Sequence, residues 1–294
     1  MNRLVSLSLS MLVAVPLFAQ EKRELRYTLA PGQVVWVEQL QDSSMVMKMG
    51  ENEMKTGSVT TMWCSYTTKS VEGGVATVEM RYERIAIRSD RPKVDYDSDV
   101  PGSKPGMMKS VADLVGKTAM IQLDAQGKVV KVEGSEEMDE ALEKTGASLK
   151  SGLEQAFAAW PKEAVGVGDS WTNETEYPMG QMGTMKAKIT NKLAAIKGDE
   201  VVVDYHLDMD LSGAKLPAGM KMEVESAKGS ATTTLDSFAP VSSVMEMHLT
   251  MAGDKAPGAM KMVMRQTMKR IPTPAPKAAK PAAEKDEKPA KAGK

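Results

Sequence analysis

Cysteine occurs once in this chain, histidine twice and phenylalanine three times, and beyond Phe18 no apolar run reaches the length of a bilayer-spanning helix. The lone Cys64 excludes an internal disulfide, so the fold must be held by its core even in an oxidising compartment. With only His206 and His248, catalytic pairs of the Cys–His or Ser–His kind have few candidates, and neither histidine has a nucleophile as its neighbour in a recognisable motif. No glycine-rich phosphate loop leads from a strand into a helix. Aromatic residues make up 4% of the chain, so an apolar interior has to be built from aliphatic and thioether side chains.

The two ends differ from what lies between them. Asn2-Arg3, the mostly apolar Leu4 to Phe18 and the small Ala19 before Gln20-Glu21-Lys22 read as an export signal cleaved after Ala19. The run is too short to span a bilayer and Pro16 interrupts it. No cysteine stands near the cleavage point to carry a lipid. The mature chain is therefore expected in a periplasm or outside the cell, with no transmembrane segment. From Pro272 to Lys294 the composition narrows to Pro, Ala, Lys, Glu, Asp and Gly with a single Thr, which leaves nothing apolar to offset the entropy of ordering and predicts a disordered basic tail. The signal carries one basic residue and the tail six basic against three acidic. From chain totals of 38 and 39 this leaves 31 basic and 36 acidic residues, a net of −5. That balance argues against nucleic acid as a partner.

What the chain has in abundance is methionine, 25 in 294 residues, often at every second position. Met45, Met47 and Met49 alternate with Val46 and Lys48, and Met260, Met262 and Met264 alternate with Lys261 and Val263. A strand has a side-chain period of two, so each run gathers its thioethers on one face. The same alternation places Val201, Val203, Tyr205, Leu207, Met209 and Leu211 opposite Asp204, His206, Asp208 and Asp210, and Met245, Met247, Leu249 and Met251 opposite Glu246, His248 and Thr250. Ala76, Val78, Met80 and Tyr82 form another apolar face, after which the apolar positions shift to Ile85 and Ile87. That change of parity predicts a bulge near Glu83-Arg84. Glu72-Gly73-Gly74, Gln126-Gly127, Lys197-Gly198-Asp199 and Ser212-Gly213 supply turns for antiparallel pairing.

Ser135 to Trp160 breaks the pattern. Met138, Leu142, Thr145, Leu149, Leu153, Phe157 and Trp160 recur at helical spacing, Glu136 and Glu137 suit the positive end of a helix, and Pro161 ends it; Gly146 and Gly152 weaken the middle. Pro31-Gly32-Gln33-Val34-Val35-Trp36 and Val167-Gly168-Asp169-Ser170-Trp171 are loose echoes, each followed by long alternating strands. The expected layout is a signal at 1–19, a first β unit with a linking hairpin at 20–134, a linking helix at 135–160, a related second β unit at 161–271 and the tail at 272–294. The fold class is α+β, predominantly antiparallel β, with half-barrel-like or curved sheets.

Leu25-Arg26-Tyr27-Thr28-Leu29-Ala30-Pro31-Gly32-Gln33, the Met-rich strand after it, Asp95-Tyr96-Asp97-Ser98 and Val167-Gly168-Asp169-Ser170-Trp171 together resemble the domain of unknown function 6263 family of exported bacterial proteins. The resemblance runs from about Leu25 to Ile271. It implies export and this fold, and brings no activity or catalytic residue with it.

Three functional readings follow from the residues. Long strands apolar on one side, with one amphipathic helix, resemble the incomplete barrels of lipid carriers, where a concave face holds an acyl chain and the helix serves as lid or plug. The ligand-facing candidates are then Met45, Met47, Met49, Met245, Met247, Met260, Met262 and Met264. The alternative is soft-metal binding of Cu(I) or Ag(I) through Met245, Met247 and His248, although a regular strand turns His248 away from both thioethers. A structural or protein-interaction role in the cell envelope is the third. Asp95-Tyr96-Asp97-Ser98-Asp99 begins like a calcium loop but lacks its glycine and terminal glutamate, so Asx-turn chemistry explains it. Asn173-Glu174-Thr175 matches a glycosylation sequon too short to weigh. No cofactor is implied, no catalytic residue stands out, and the sequence points to a non-enzymatic binding protein for an apolar or envelope-associated ligand.

Overall fold

The computed structural model describes residues 22–49, 52–143, 149–156, 159–178, 183–216, 219–253 and 259–274. The segment expected to be an export signal and nearly all of the segment expected to be a basic tail lie outside these residues. The strands are β1 (Val34–Met49), β2 (Asn52–Glu72), β3 (Val75–Asp90), β4 (Lys93–Asp97), β5 (Thr118–Asp124), β6 (Val129–Glu133), β7 (Ser170–Pro178), β8 (Thr184–Lys197), β9 (Glu200–Asp210), β10 (Met220–Thr234), β11 (Ser242–Gly253) and β12 (Met260–Ile271). The helices are α1 (Lys109–Ala112), α2 (Glu136–Glu143) and α3 (Leu149–Ala156). The protein is thus mostly antiparallel β.

All the strands join one open sheet, ordered β6-β5-β3-β2-β1-β12-β11-β10-β9-β8-β7, with β4 paired on β3. The chain starts at the centre, runs by short turns to one edge, crosses through the helices to the other edge, and returns to the centre. The first and last strands, β1 and β12, pair antiparallel from Trp36↔Ile271 to Met47↔Met260. This pairing merges the two expected β units into a single sheet. The two echo segments occupy unlike places: Trp36 lies in the central seam, Trp171 on an edge strand. Local composition sets how a strand opens; it does not set which neighbour that strand finds.

The sheet is curled. Ile121, Leu123 and Val129 from one flank share a single buried cluster with Leu193, Val201 and Val203 from the other. The helix α3 touches both outer strands, β6 and β7. The segment before β1 ties the flanks as well: Tyr27 N donates to Ala125 O at 2.8 Å, Thr28 N donates to Leu235 O at 2.7 Å, and Arg23 bridges Val165. The expected single helix is two. α2 and α3 pack against each other, which collinear segments of one rod, six residues apart at their nearest, would not do. The link between them, with Thr145 and Gly146, lies outside the described residues. Met138, Leu149, Leu153 and Trp160 are buried in the core.

The parity change in β3 is absorbed where it is needed. Tyr82 pairs with Cys64 and Arg84 with Trp63, so Glu83 is the extra residue. Tyr82, Ile85 and Ile87 therefore all face in, the two isoleucines with no exposure. Cys64 is buried between Tyr66 and Tyr82, and burial, helped by the Glu83 carboxylate, pushes its thiol well up. Burial likewise pushes up Tyr27, Tyr66 and Tyr82.

These shifts fix the alkaline limit of the fold. In the unfolded chain such groups ionise near their ordinary values, about 8.5 for cysteine and 10 for tyrosine. In the folded chain they keep their protons, so above those values the unfolded state binds fewer protons and stability falls as pH rises. Their contribution is fully present below about pH 8 and declines above it. Urea midpoints measured from pH 7 to 10.5 are expected to drop progressively above pH 9, and Cys64→Ala is expected to remove the earliest part of that drop. A flat profile would contradict the burial of these groups.

Candidate functional site

The inner face of β7 to β12 follows from alternation alone. On β8 the inward residues are Ala187, Ile189, Asn191 and Leu193; on β9 they are Val203, Tyr205 and Leu207. On β10 the same face carries Ala227, Gly229, Ala231 and Thr233, set opposite Val203 and Tyr205 on one side and Ser243, Met245 and Met247 on the other. Small residues along β10 leave the middle of this face shallow. Opposite it stand the β5–β6 hairpin, with Gly127, Lys128 and Val129, and the helix α3 with Glu154.

Between them is a cavity of about 400 Å³. Ile189, Val203, Leu207, Met245 and Met268 form its apolar walls, and Tyr27 and Phe238 lie against the core. Its size falls in the range of roughly 300–1,000 Å³ usual for small-molecule sites. A second cavity, of about 910 Å³, shares Glu154, Glu174 and Thr175 with it and is bordered by Lys150, Lys186, Lys188, Asp208 and Asp210. The apolar space thus adjoins a charged one.

The polar side chains of the wall are mostly engaged. Asn173 Nδ2 and Trp171 Nε1 both donate to Ala159 O, at 3.2 and 2.9 Å, and fasten β7 to the segment after α3. Thr175 donates to Glu154 at 2.9 Å. Tyr205 lies across Gly229 and donates to Val244 O at 3.2 Å; burial pushes its hydroxyl up to about 12. A Cβ at Gly229 would run into the Tyr205 ring and Val244 O, so glycine is what lets this tyrosine lie flat on the sheet.

Of the methionines predicted to face a ligand, those other than Met49, whose side chain lies outside what the structure describes, share this inner face but not one place on it. Met245 lines the cavity. Met247 is buried one step farther along, in a second apolar cluster with Leu207 and Ala227, where Met264 and Met245 pack. Met262 pairs with Met45, and Met260 with Met47, still nearer the hairpin tips and half-buried. Met49 ends β1 opposite Asn52. The sequence reading had Val203, Tyr205 and Leu207 as an apolar strand face without giving them a ligand, and passed over Asn191, Ala231, Phe238 and Met268. For Asn191 the signal was available: an amide at an inward position of Ala187-Ile189-Asn191-Leu193.

The soft-metal candidates Met245, Met247 and His248 are divided between two faces of the sheet. Met247 faces in, whereas His248 lies on the outer face, where its Nε2 is 2.8 Å from Glu246 and holds that carboxyl below the usual range. Among the described residues no group of three or more His, Cys, Asp or Glu side chains is placed to hold a metal ion. In the calcium-like segment, Asp97 accepts from Asp99 N at 3.0 Å in an Asx turn, and the Arg84 guanidinium, stacked 4.4 Å over Trp63, grips its carboxylate. Asp204, Asp208 and Asp210 face out and pair in register with Lys192, Lys188 and Lys186. They form a solvated sheet exterior.

Comparison with known proteins places part of the chain. Residues 145–237 match the model of a family of unknown function (DUF6263), the family the sequence resembles. No curated relative matches the sequence. A solved structure described for lipid–protein interactions in lipovitellin matches over 86% of this chain with a TM-score of 0.51 and 12% identity, and the chain spans 26% of that protein. DynF from the dynemicin biosynthesis pathway of Micromonospora chersina matches 84% of each chain at 7% identity and a TM-score of 0.24. A mutant porin of Rh. blastica matches 81% of this chain and 100% of its own at 9% identity and a TM-score of 0.24. The likeness to lipovitellin is one of fold; the other two are too slight to carry an argument.

Proposed function

We propose that this chain is an exported, non-enzymatic binding protein that holds one apolar, lipid-like molecule in the curl of its sheet, in a periplasm or outside the cell. The observation that carries the reading is the cavity of about 400 Å³ bounded by Ile189, Val203, Leu207, Met245 and Met268, beside a methionine-bearing continuation of the same face. A filled core would have placed a larger side chain where β10 presents Ala231 to the cavity. Met side chains are unbranched and adapt to irregular apolar partners. The α3 helix and the β5–β6 hairpin close the gap between the two sheet edges, the position of a lid. The likeness to lipovitellin is compatible with a lipid-like ligand without selecting it.

The test is direct. Protein purified from its own host is expected to carry, in native mass spectrometry, a non-protein mass that organic extraction removes. The extracted protein is expected to take up a hydrophobic fluorescent reporter, and Ala231→Phe, which fills the cavity from its shallow side, to reduce that uptake at least ten-fold while the thermal transition is retained. Folded, extracted protein that takes up no reporter would end this reading.

A further inference from the structure

Among the described residues that line the cavity, one fully buried polar atom has no partner in the protein. Asn191 is 8% exposed, its Nδ2 is shielded from solvent, and it donates to nothing. Register puts it on the inner face between Trp171 on β7 and Tyr205 on β9. Both neighbours spend their own donors elsewhere, on Ala159 O and Val244 O. Buried amides are almost always paired, so a shielded donor left open beside an empty apolar space is the mark of an acceptor that arrives with a ligand.

The charges around the cavity narrow the acceptor. The ionisable residues bordering it are Lys128, Glu154 and Glu174, a net of −1, and Lys128 is exposed. No cation shares the inner face of β8 with Asn191 or stands in its two register partners; Lys188 and Lys192 lie on the opposite face of the strand. An ionised carboxylate placed there would lose its hydration and gain one hydrogen bond from a neutral amide, which does not compensate it. A neutral carbonyl faces no such penalty.

We infer that the ligand is a neutral acyl compound, an ester or amide of a long-chain acid, whose carbonyl oxygen accepts a hydrogen bond from Asn191 while its chain lies against Ile189, Val203, Leu207 and Met245. This rests on the proposed binding role of the cavity and assigns its chemistry. Asn191 orients the ligand and discriminates among apolar molecules of equal length, because a hydrocarbon leaves the amide unpaired.

Three probes with the same conjugated polyene chain test it on the extracted full-length protein at pH 8: the methyl ester, the free acid and the hydrocarbon without a carbonyl. The ester is expected to bind about ten-fold more tightly than either of the others. In Asn191→Leu that preference for ester over hydrocarbon is expected to vanish, with the hydrocarbon bound at least as well as before. If the wild-type protein binds ester and hydrocarbon equally, or if Asn191→Leu keeps the preference, the acyl assignment is overturned while the binding role stands. If no probe binds the folded wild-type protein, both fall. The wild-type comparison needs no variant, so the outcome does not depend on whether Asn191→Leu folds.

Discussion

Deleting Glu79 is expected to abolish cooperative folding, whereas deleting Glu83, four residues farther along the same strand, is expected to leave the protein folded. Both residues are acidic and stand on β3. The difference is parity. Glu79 sits between Val78 and Met80, which both face in and are 0% and 3% exposed. Its removal makes two inward residues adjacent, so either Ala76 and Val78 or Met80 and Tyr82 must turn to water. Exposing a buried side chain of this size costs about 1.5–3 kcal/mol, and several at once approach the roughly 5–15 kcal/mol that holds a domain together. Glu83 is the surplus residue of the bulge. Without it the ladder becomes regular from Cys64 to Trp63, and Tyr82, Ile85 and Ile87 keep their inward direction. What is lost is the hydrogen bond from Ser65 Oγ to Glu83 at 2.7 Å, a matter of about 1.5–3 kcal/mol, and a half-exposed ion pair with Arg81 at 3.8 Å that adds little. Urea unfolding followed by tryptophan fluorescence and circular dichroism separates the outcomes: one cooperative transition without Glu83, none without Glu79. Equal behaviour of the two deletions would mean that the register assigned to β2 and β3 is wrong.

Phe238→Ala is expected to lose about 3–5 kcal/mol, the range for truncating a buried aromatic. Phe238 is 2% exposed, meets Tyr66 edge-on at 5.3 Å between centroids, and comes from the turn between β10 and β11. Its position makes it more than core filling. It is buried in the main cluster and also lines the cavity, so the void left by its ring joins a space already present. The urea midpoint is therefore expected to fall with little change in slope, Phe238→Leu to recover most of the loss, and the variant to accept a bulkier hydrophobic reporter than the wild-type protein does. A loss below about 1 kcal/mol would place Phe238 outside the core.

The Glu83 bulge shows how far a local pattern reaches. Two apolar stripes of opposite parity in one strand, Ala76 to Tyr82 and then Ile85 to Ile87, are visible in the sequence, and an extra residue is the one way both can face the same core. The inward faces of β9, β11 and β12 were legible for the same reason. The helical spacing from Met138 to Leu153 was legible as helix and as buried face, but not as two segments packed on one another, because spacing records which side is apolar and says nothing of where an axis bends. Asn191 is visible in the sequence as an amide in an apolar stripe, but that its Nδ2 is left without a partner follows only from its neighbours across the strands, Trp171 and Tyr205, which come from pairings on either side.

The sequence by itself determined the extended backbone, the dry side of each strand, the turns and the bulge, since all of these depend on residues within a few positions of one another. Only the tertiary structure decided that β1 lies against β12, that the sheet curls until α3 touches both of its edges, and that a cavity remains beside Ala231. The first of those outcomes joins residues more than two hundred positions apart and the others join separate elements, where chain closure and shared burial select among partners that a period-two pattern makes equally acceptable.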